Sequence, residues 1–392
     1  MKRVYIVFLL TAVLLLAGCQ KESKERKQSE EWSYSSLYGV REYKDGFYYI
    51  KDHYWLRYYD TKSGKSVVLC EKNGCRHNSD KCFAYTEDGL PHIWGDKLCT
   101  VTSDGKIVVS DANNREKEEL DTIGKARMKE EKCTLTVWDY IVSGDMLYVQ
   151  TTITDYNSDA KYQEADTIFA YDMSTKEEKE IAAINERKQD MRMLMGKDGI
   201  VYYTVQNKWD SEKDITSMTQ EEREEYLKEE EKKTHIELYR ADYFEGMVEL
   251  VKEVDNGFVV AANDDIGVYY YEFAGDGSAS GSKLYHWNPE EEKEEIVLDR
   301  EGKSPLQVTV PISSKHLIIT LGEQSVIYNL DGFVQEEFVH PVLQEGLVFF
   351  VPGGYAFEKK IGEDENGGDL FKWYYLAEEE AQKPEGNAIL VE

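Results

Sequence analysis

Short apolar and aromatic runs alternate with polar turns along most of the chain. The turns are rich in Gly, Asp and Asn and recur at intervals of about eight to twelve residues. The chain holds 28 tyrosines and only 7 prolines. Tyrosine is enriched in strands and proline is depleted there. The pattern therefore predicts an all-β fold.

The predicted strands recur in groups of four. An apolar strand and a Gly/Asp turn precede a "YY"-like strand, and a "LYxxD"-like strand, a polar turn and a strand ending in Leu, Ile or Val follow. Seven copies can be traced, with the turn before the second strand near positions 45, 95, 144, 198, 266, 314 and 345. A single four-stranded sheet cannot bury both faces, whereas a ring of sheets can. The repeat predicts a β-propeller of seven four-stranded blades over residues 34–392; six or eight blades, or a pair of β-sandwiches, also fit the pattern.

Long insertions separate the second and third strands of four repeats. Antiparallel strands place these insertions on one face of a propeller, and long loops on a rigid scaffold often carry binding function. The insertion in the fourth repeat contains a predicted helix, "SMTQEEREEYLKEEEKKT", in which Thr219 and Glu222 form a capping box. The other three insertions read "DYNSDAKYQEAD", "AGDGSASGS" and "KIGEDENGGD".

The N-terminus begins with "MKRVYIVFLLTAVLLLAGCQ". Two basic residues precede an apolar run that is short for a membrane span, and "LAGC" resembles the lipobox of bacterial lipoproteins. The resemblance implies that residues 1–18 are a signal peptide and that Cys19 carries a diacylglycerol anchor. Residues 19–33 are polar and charged, so we expect a disordered tether. The chain would then lie on the outer face of the cell membrane; an ordinary secretory signal is the alternative.

The formal net charge of -29 restricts the class of partner. A strongly acidic chain is repelled by nucleic acid, so nucleic-acid binding is not expected. The high charge also favours a soluble, monomeric domain beyond the anchor.

The stretch "CEKNGCRHNSDKC" gathers three cysteines and a histidine within thirteen residues. Cys70, Cys75, His77 and Cys82 together supply the donor set of a closed tetrahedral zinc site, and Asn73-Gly74 provides a tight turn before Cys75. Disulfides are one alternative, because exported proteins can keep them, and free buried thiols are another. With Cys19 lipidated, Cys99 and Cys133 complete an odd set of five, so a scheme of disulfides alone leaves one thiol over. By chain order this stretch joins the first and second repeats on the same face as the insertions.

The lipobox, the charged tether, the "DGxYY … LYxYD" repeats and "LCEKNGCRHNSDKCFAY" resemble a group of propeller lipoproteins from Gram-positive bacteria. The repeats also resemble TolB-like propellers. The resemblance covers nearly the whole mature chain and implies a propeller of six to eight blades on the outer face of a membrane. It implies no particular activity.

Motifs of common enzyme classes are not found in the sequence. It contains no His-Glu-x-x-His, no Gly-x-Ser-x-Gly and no phosphate-binding glycine loop, so no catalytic residue is predicted. Beyond His77, the histidines are scattered, at His53, His92, His235, His286, His316 and His340. We expect a surface-anchored binding or scaffold module that contacts a protein, peptide or glycan. The alternatives are an accessory or sensory subunit of an envelope complex and an enzyme at the propeller channel. A channel lined by convergent His, Arg and carboxylate groups would favour the enzyme.

Overall fold

The computed structural model describes most of the chain beyond the N-terminus. It covers Ser29 and residues 31–34, 39–52, 54–86, 89–131, 133–155, 163–184, 189–207, 215–275, 280–301, 303, 306–308, 316–321, 324–330, 333–336, 348–363, 369–381, 383 and 386–391. The predicted signal peptide, Cys19 and most of the predicted tether lie outside these residues. Within them, no helix is both long and apolar enough to cross a membrane.

The first four sheets are antiparallel and follow one another along the chain. The first contains β2 (Val40–Tyr43), β3 (Gly46–Lys51), β4 (Trp55–Asp60) and β5 (Lys65–Val68). The second contains β6 (His92–Trp94), β7 (Lys97–Val101), β8 (Lys106–Asp111) and β9 (Glu118–Thr122). The third contains β10 (Cys133–Ser143), β11 (Met146–Asp155), β12 (Gln163–Asp172) and β13 (Glu177–Ile184). The fourth contains β14 (Gln189–Lys197), β15 (Ile200–Asn207), β16 (His235–Asp242) and β17 (Met247–Asp255), with β1 (Ser33–Tyr34) on the free edge of β14.

The remaining strands form two more sheets. The fifth contains β18 (Gly257–Asn263), β19 (Gly267–Phe273), β20 (Gly281–Asn288), β21 (Lys293–Asp299), β22 (Leu306–Val308), β23 (His316–Leu321), β24 (Gln324–Asn329) and β25 (Val334–Glu336). The sixth contains β26 (Val348–Val351), β27 (Gly354–Glu363), β28 (Asp369–Ala377) and β29 (Ile389–Leu390).

The structure is an all-β propeller, but the strands of the described residues form six sheets and not the seven separate blades predicted. The predicted fifth and sixth repeats are joined into one eight-stranded sheet, because β20 pairs with β22 through Gly281 and Leu306. The predicted turn near 345 is also wrong. "GLVFFV" supplies the first strand of the last sheet, so the turn falls at Pro352-Gly353, where Gly353 adopts a φ of 74°. The predicted turn near 314 lies outside the described residues.

Among the described residues the helices are few and short: α1 (Lys125–Glu131), α2 (Gln220–Glu231) and α3 (Glu378–Ala381). The helix predicted in the fourth repeat is confirmed as α2, preceded by a 3-10 turn at Ile215–Ser217. Thr219 caps its N-terminus, and both bonds of the predicted capping box with Glu222 are present. Tyr226, Glu230 and Glu231 are buried, so one side of α2 packs onto the propeller.

Apolar clusters between successive sheets hold the ring together. The second strands are apolar on both faces because each sheet has a neighbour on either side: Phe47, Tyr48 and Tyr49 of β3 are all buried. The ring closes where the first sheet packs on the last, through a cluster that includes Phe47, Tyr59, Phe349 and Trp373. Each strand thus buries apolar area that an isolated sheet would expose to water.

The N-terminal segment enters the propeller beside the fourth sheet. Ser33 and Tyr34 pair antiparallel with Gly196 and Met195 at the inner edge of β14. Trp32, predicted within the tether, is buried and makes an edge contact with the ring of Tyr202 at 5.7 Å. The last residues of the predicted tether segment are therefore packed against the fold.

Candidate metal centre

The Cys/His stretch forms a loop between β5 and β6, and its two ends are fixed to the first sheet. At the entry, Leu69 N–H donates to Leu56 O at 3.1 Å. At the exit, Leu56 N–H donates to Ala84 O at 2.8 Å, and the Tyr85 ring stacks on that of Tyr54 at 5.5 Å. The chain thus leaves β5 and returns beside β4, so the residues between must turn back on themselves.

Local turns bring the four predicted ligands together. Cys75 N–H donates to Lys72 O at 3.0 Å, which closes a turn over Asn73-Gly74, and Gly74 has a φ of 72°. A left-handed backbone of this kind favours glycine. His77 is itself left-handed, with a φ of 52°. These two reversals fold the stretch back on itself.

The donor atoms of Cys70, Cys75, His77 and Cys82 all lie within 4.8 Å of one another. His77 Nδ1 lies 3.3 Å from Cys82 Sγ. Tetrahedral zinc with Zn–S bonds of about 2.3 Å needs sulfur atoms roughly 3.8 Å apart. The set therefore fits a closed Cys3His site with small side-chain movements.

The thiols of this group differ in their ionisation. Burial raises the pKa of Cys82 to about 12. Burial also opposes ionisation of Cys70, but hydrogen bonds from the backbone N–H groups of Lys72 and Phe83 outweigh it and lower the pKa of its thiol. Zinc binds thiolates, so a bound ion would displace the proton that Cys82 holds.

The loop lies at the rim and also contacts the second sheet. Asn114 Nδ2 donates to Phe83 O, and Arg115 Nη1 pairs with Glu71 Oε2 at 2.7 Å. Asn114 and Arg115 both belong to the turn between β8 and β9. The loop therefore bridges the outer parts of the first two sheets. Blades twist from their inner to their outer strands, so an outer turn can reach a connection from the other face.

The other cysteines do not join this group. All five described cysteines are free thiols: Cys70, Cys75, Cys82, Cys99 and Cys133. Cys99 is fully buried in the cluster between the second and third sheets, and burial raises the pKa of its thiol to about 12. The pairing of thiols in an oxidised chain remains the alternative to a metal.

A second group of polar side chains lies on the innermost strands and was missed by the sequence analysis. We call Arg41, His92, Asp139 and Arg192 the channel cluster; they lie on β2, β6, β10 and β14. Arg41 Nη2 lies 2.9 Å from His92 Nε2. Asp139 interacts electrostatically with both arginines. A charged residue inside an apolar first strand, as in "MRMLM" and "TVWDYIV", is the signal that could have identified the group.

A third group, His235, Glu237 and Glu253, lies on the outer strands β16 and β17. Here His235 Nδ1 bonds Asp255 Oδ1 at 2.7 Å, and this carboxylate raises the pKa of the imidazole. An ion pair on the strand surface accounts for this group. Two of the scattered histidines, His53 and His340, lie outside the described residues.

Comparisons with known proteins show similarity in fold alone. No family model matches the chain, and no curated protein matches it. Similar solved structures include an oligogalacturonate lyase from Vibrio parahaemolyticus, with 14% identity, a TM-score of 0.44, and coverage of 76% of this chain and 74% of that chain. TolB from Acinetobacter baumannii shows 8% identity, a TM-score of 0.33, and coverage of 86% and 75%. BamB from Moraxella catarrhalis shows 11% identity, a TM-score of 0.33, and coverage of 93% and 89%. At these identities only the fold is comparable.

Proposed function

We propose that this chain is a lipoprotein on the outer face of the cell membrane, anchored through diacylglycerol on Cys19, whose propeller is a binding or scaffold module. The face that carries the long insertions would contact a protein, peptide or glycan. One observation carries the proposal: the N-terminal segment and the insertion helix α2 lie at opposite ends of the central channel.

The N-terminal segment lies at the end of the channel formed by the turns between first and second strands. Ser29 N–H donates to Asp198 Oδ1 at 2.9 Å, and Trp32 Nε1–H donates to Asp265 Oδ2 at 3.0 Å. Asp198 lies in the turn between β14 and β15, and Asp265 lies in the turn between β18 and β19. The chain enters the channel at this end.

Helix α2 lies at the other end. Asn256 N–H donates to Thr234 O at 2.8 Å, just after the helix, and Asn256 lies between the last strand of the fourth sheet and the first strand of the fifth. Phe273 N–H in turn donates to Asn256 O at 2.9 Å, at the end of β19 where the next insertion begins. Thr234 and Phe273, at the ends of two insertions, thus lie on one surface.

A lipid on Cys19 would hold the turn end of the propeller near the bilayer. Ser29 lies ten positions after Cys19, and ten extended residues span at most about 35 Å. The insertion face would then point away from the membrane, where a partner can reach it. The Cys3His group would hold a structural zinc ion, which cross-links the rim loop that has little apolar material of its own.

Site-specific photo-crosslinking in intact cells tests this arrangement. A photoreactive residue replaces Glu221 on α2 or, as the matched control, Asp96 in the turn between β6 and β7; both positions are exposed. We expect protein, peptide or glycan adducts at position 221 and lipid adducts at position 96. Lipid adducts at 221, or no adducts other than lipid at either position, would contradict the binding function.

Anchoring is tested separately by Cys19→Ser. This variant should be released from the membrane fraction, whereas the unchanged chain should sediment with it. If the variant stays with the membrane, the lipid anchor is wrong even where the adducts at position 221 persist.

A second candidate, an enzyme acting on a glycan or peptide in the channel, is supported by the channel cluster. Convergent imidazole, guanidinium and carboxylate groups are the combination that we expected of an enzyme. Turnover of a polymeric substrate that His92→Gln abolishes, while the variant keeps its melting temperature, would favour this candidate.

A further inference from the structure

We propose that the channel cluster is a binding site for a small oxyanion, a carboxylate or a phosphate, which the guanidinium groups of Arg41 and Arg192 hold. The proposal depends neither on lipid anchoring nor on metal binding at the rim. It also names a ligand class for a surface that the binding-module function leaves unassigned.

The four members come from the first four sheets, and they are linked by the contact of Arg41 with His92 and by the interaction of Asp139 with both arginines. Each lies on the first strand of its sheet, and first strands surround the channel of a propeller. Asp139 follows a bulge in β10, where the register shifts between Val137 and Asp139. A bulge redirects the side chain beside it, which lets a charged group leave the apolar interface between sheets.

His92 positions Arg41. An arginine can only donate, so His92 Nε2 accepts the bond from Arg41 Nη2. Burial and the charge of Arg41 lower the pKa of His92 well below its usual value, so the imidazole is neutral and adds no charge of its own. The His92 ring also packs on Tyr140 at 4.9 Å, and Tyr140 OH donates to Leu90 O at 3.2 Å. The guanidinium group of Arg41 is therefore held in place by the buried ring of His92.

Arg192 is held from the other side. Its guanidinium lies over the ring of Phe258 at 5.2 Å, a cation–π contact that fixes its plane. Asp139 is the carboxylate that interacts with both arginines, and burial raises its pKa to about 6. The cluster thus contains one carboxyl group with a raised pKa and two guanidinium groups that interact with it.

An oxyanion suits this arrangement better than any other small ligand. Guanidinium groups match carboxylate and phosphate oxygens through paired N–H donors, and such bonds are stronger in a partly dry channel than in water. The cluster holds two guanidinium groups and one carboxylate, so it is locally positive in a chain whose net charge is -29. Tyr34 of β1 lies within electrostatic reach of Arg41. The bonds of Ser29 and Trp32 to Asp198 and Asp265 hold the N-terminal segment at the turn end, so a ligand would enter from the end that carries α2.

Calorimetric titration of the full chain in detergent tests the site, with citrate and inorganic phosphate as separate probes at a constant ionic strength set by chloride. We expect saturable binding of at least one probe, close to one per chain. Binding of citrate alone identifies a carboxylate site, and binding of phosphate alone identifies a phosphate site. Arg41→Gln and Arg192→Gln should each weaken binding by about ten- to a hundredfold.

Two further variants make the result decisive. Arg127→Gln removes an arginine that pairs with Glu180 on the outside and should leave binding unchanged. Asp139→Asn removes the competing carboxylate without removing positive charge, and should tighten binding about threefold or more. The proposal is overturned if neither probe binds the unchanged chain, if both arginine variants bind normally, or if Asp139→Asn weakens binding.

Discussion

His77 combines an unfavourable backbone with a position among three thiols. Its φ of 52° is uncommon for a residue with a side chain, although histidine tolerates it better than most. Strain of this kind persists where the surrounding structure fixes it and often marks a functional site. Here the left-handed turn is what brings Nδ1 to 3.3 Å from Cys82 Sγ.

Replacing His77 by alanine should therefore distinguish metal from disulfide. With zinc bound, loss of one ligand should lower the affinity for zinc about a hundred- to a thousandfold, which at fixed zinc removes about 3–4 kcal/mol of stabilisation. Thermal unfolding with and without chelator, together with the metal content of the purified protein, measures this effect. His77→Cys is the matched control, because four thiolates still form a closed site. An unchanged melting temperature in His77→Ala would count against metal and for disulfides.

Strand β1 is an element that its own residues hardly predict. Two residues form it, and the preceding Trp32 anchors it, because that side chain is 5% exposed and donates a hydrogen bond to Asp265. Short strands at an inner edge depend on such anchors, since two pairs of backbone bonds add little by themselves.

Trp32→Ala should release this segment without unfolding the propeller. Truncating a buried tryptophan costs about 3–5 kcal/mol in a core, which corresponds to at least roughly a hundredfold faster opening of the local structure. Hydrogen exchange at Tyr34 and Met195 measures the opening. Trp138→Ala is the control, because that side chain is 54% exposed. Equal exchange rates in the two variants would mean that Trp32 does not hold β1.

The whole molecule depends on closing the ring between its first and last sheets. Trp373 Nε1–H donates to Ile50 O at 3.2 Å across this junction, and Tyr49 OH donates to Val391 O at 3.3 Å. Gly39 lies at the same junction with a φ of 114°, and a Cβ there would meet the Phe349 ring at 2.5 Å. The junction thus requires both a left-handed backbone and a missing side chain.

Gly39→Ala should destabilise the whole propeller. The steric overlap costs about 1–3 kcal/mol, and the backbone conformation adds about 1 kcal/mol. Gly246→Ala isolates the second contribution, because its φ is 66° and nothing lies within 4 Å of the added carbon. Thermal unfolding followed by circular dichroism should show the lower midpoint for Gly39→Ala. Equal midpoints would show that the junction is loose enough to absorb a methyl group.

The sequence by itself determined what local pattern controls. Alternating tyrosine-rich runs and turns predicted the all-β repeat. Thr219 and Glu222 predicted the start of α2, and the close spacing of three cysteines and a histidine predicted the Cys/His group. Each of these depends on residues near one another in the chain. The strand assignment in the seventh repeat was wrong, because first and second strands are both apolar and "GLVFFV" fits either position equally well.

Only the tertiary structure decided which distant residues meet. The channel cluster joins residues as far apart as Arg41 and Arg192, and a single pair, Gly281 with Leu306, merges two repeats into one sheet. The rim position of the Cys/His loop likewise follows from contacts of Glu71 and Phe83 with a turn of the next sheet. Such contacts depend on the twist of each sheet and on the closure of the ring, which no local pattern of hydrophobic and polar residues specifies.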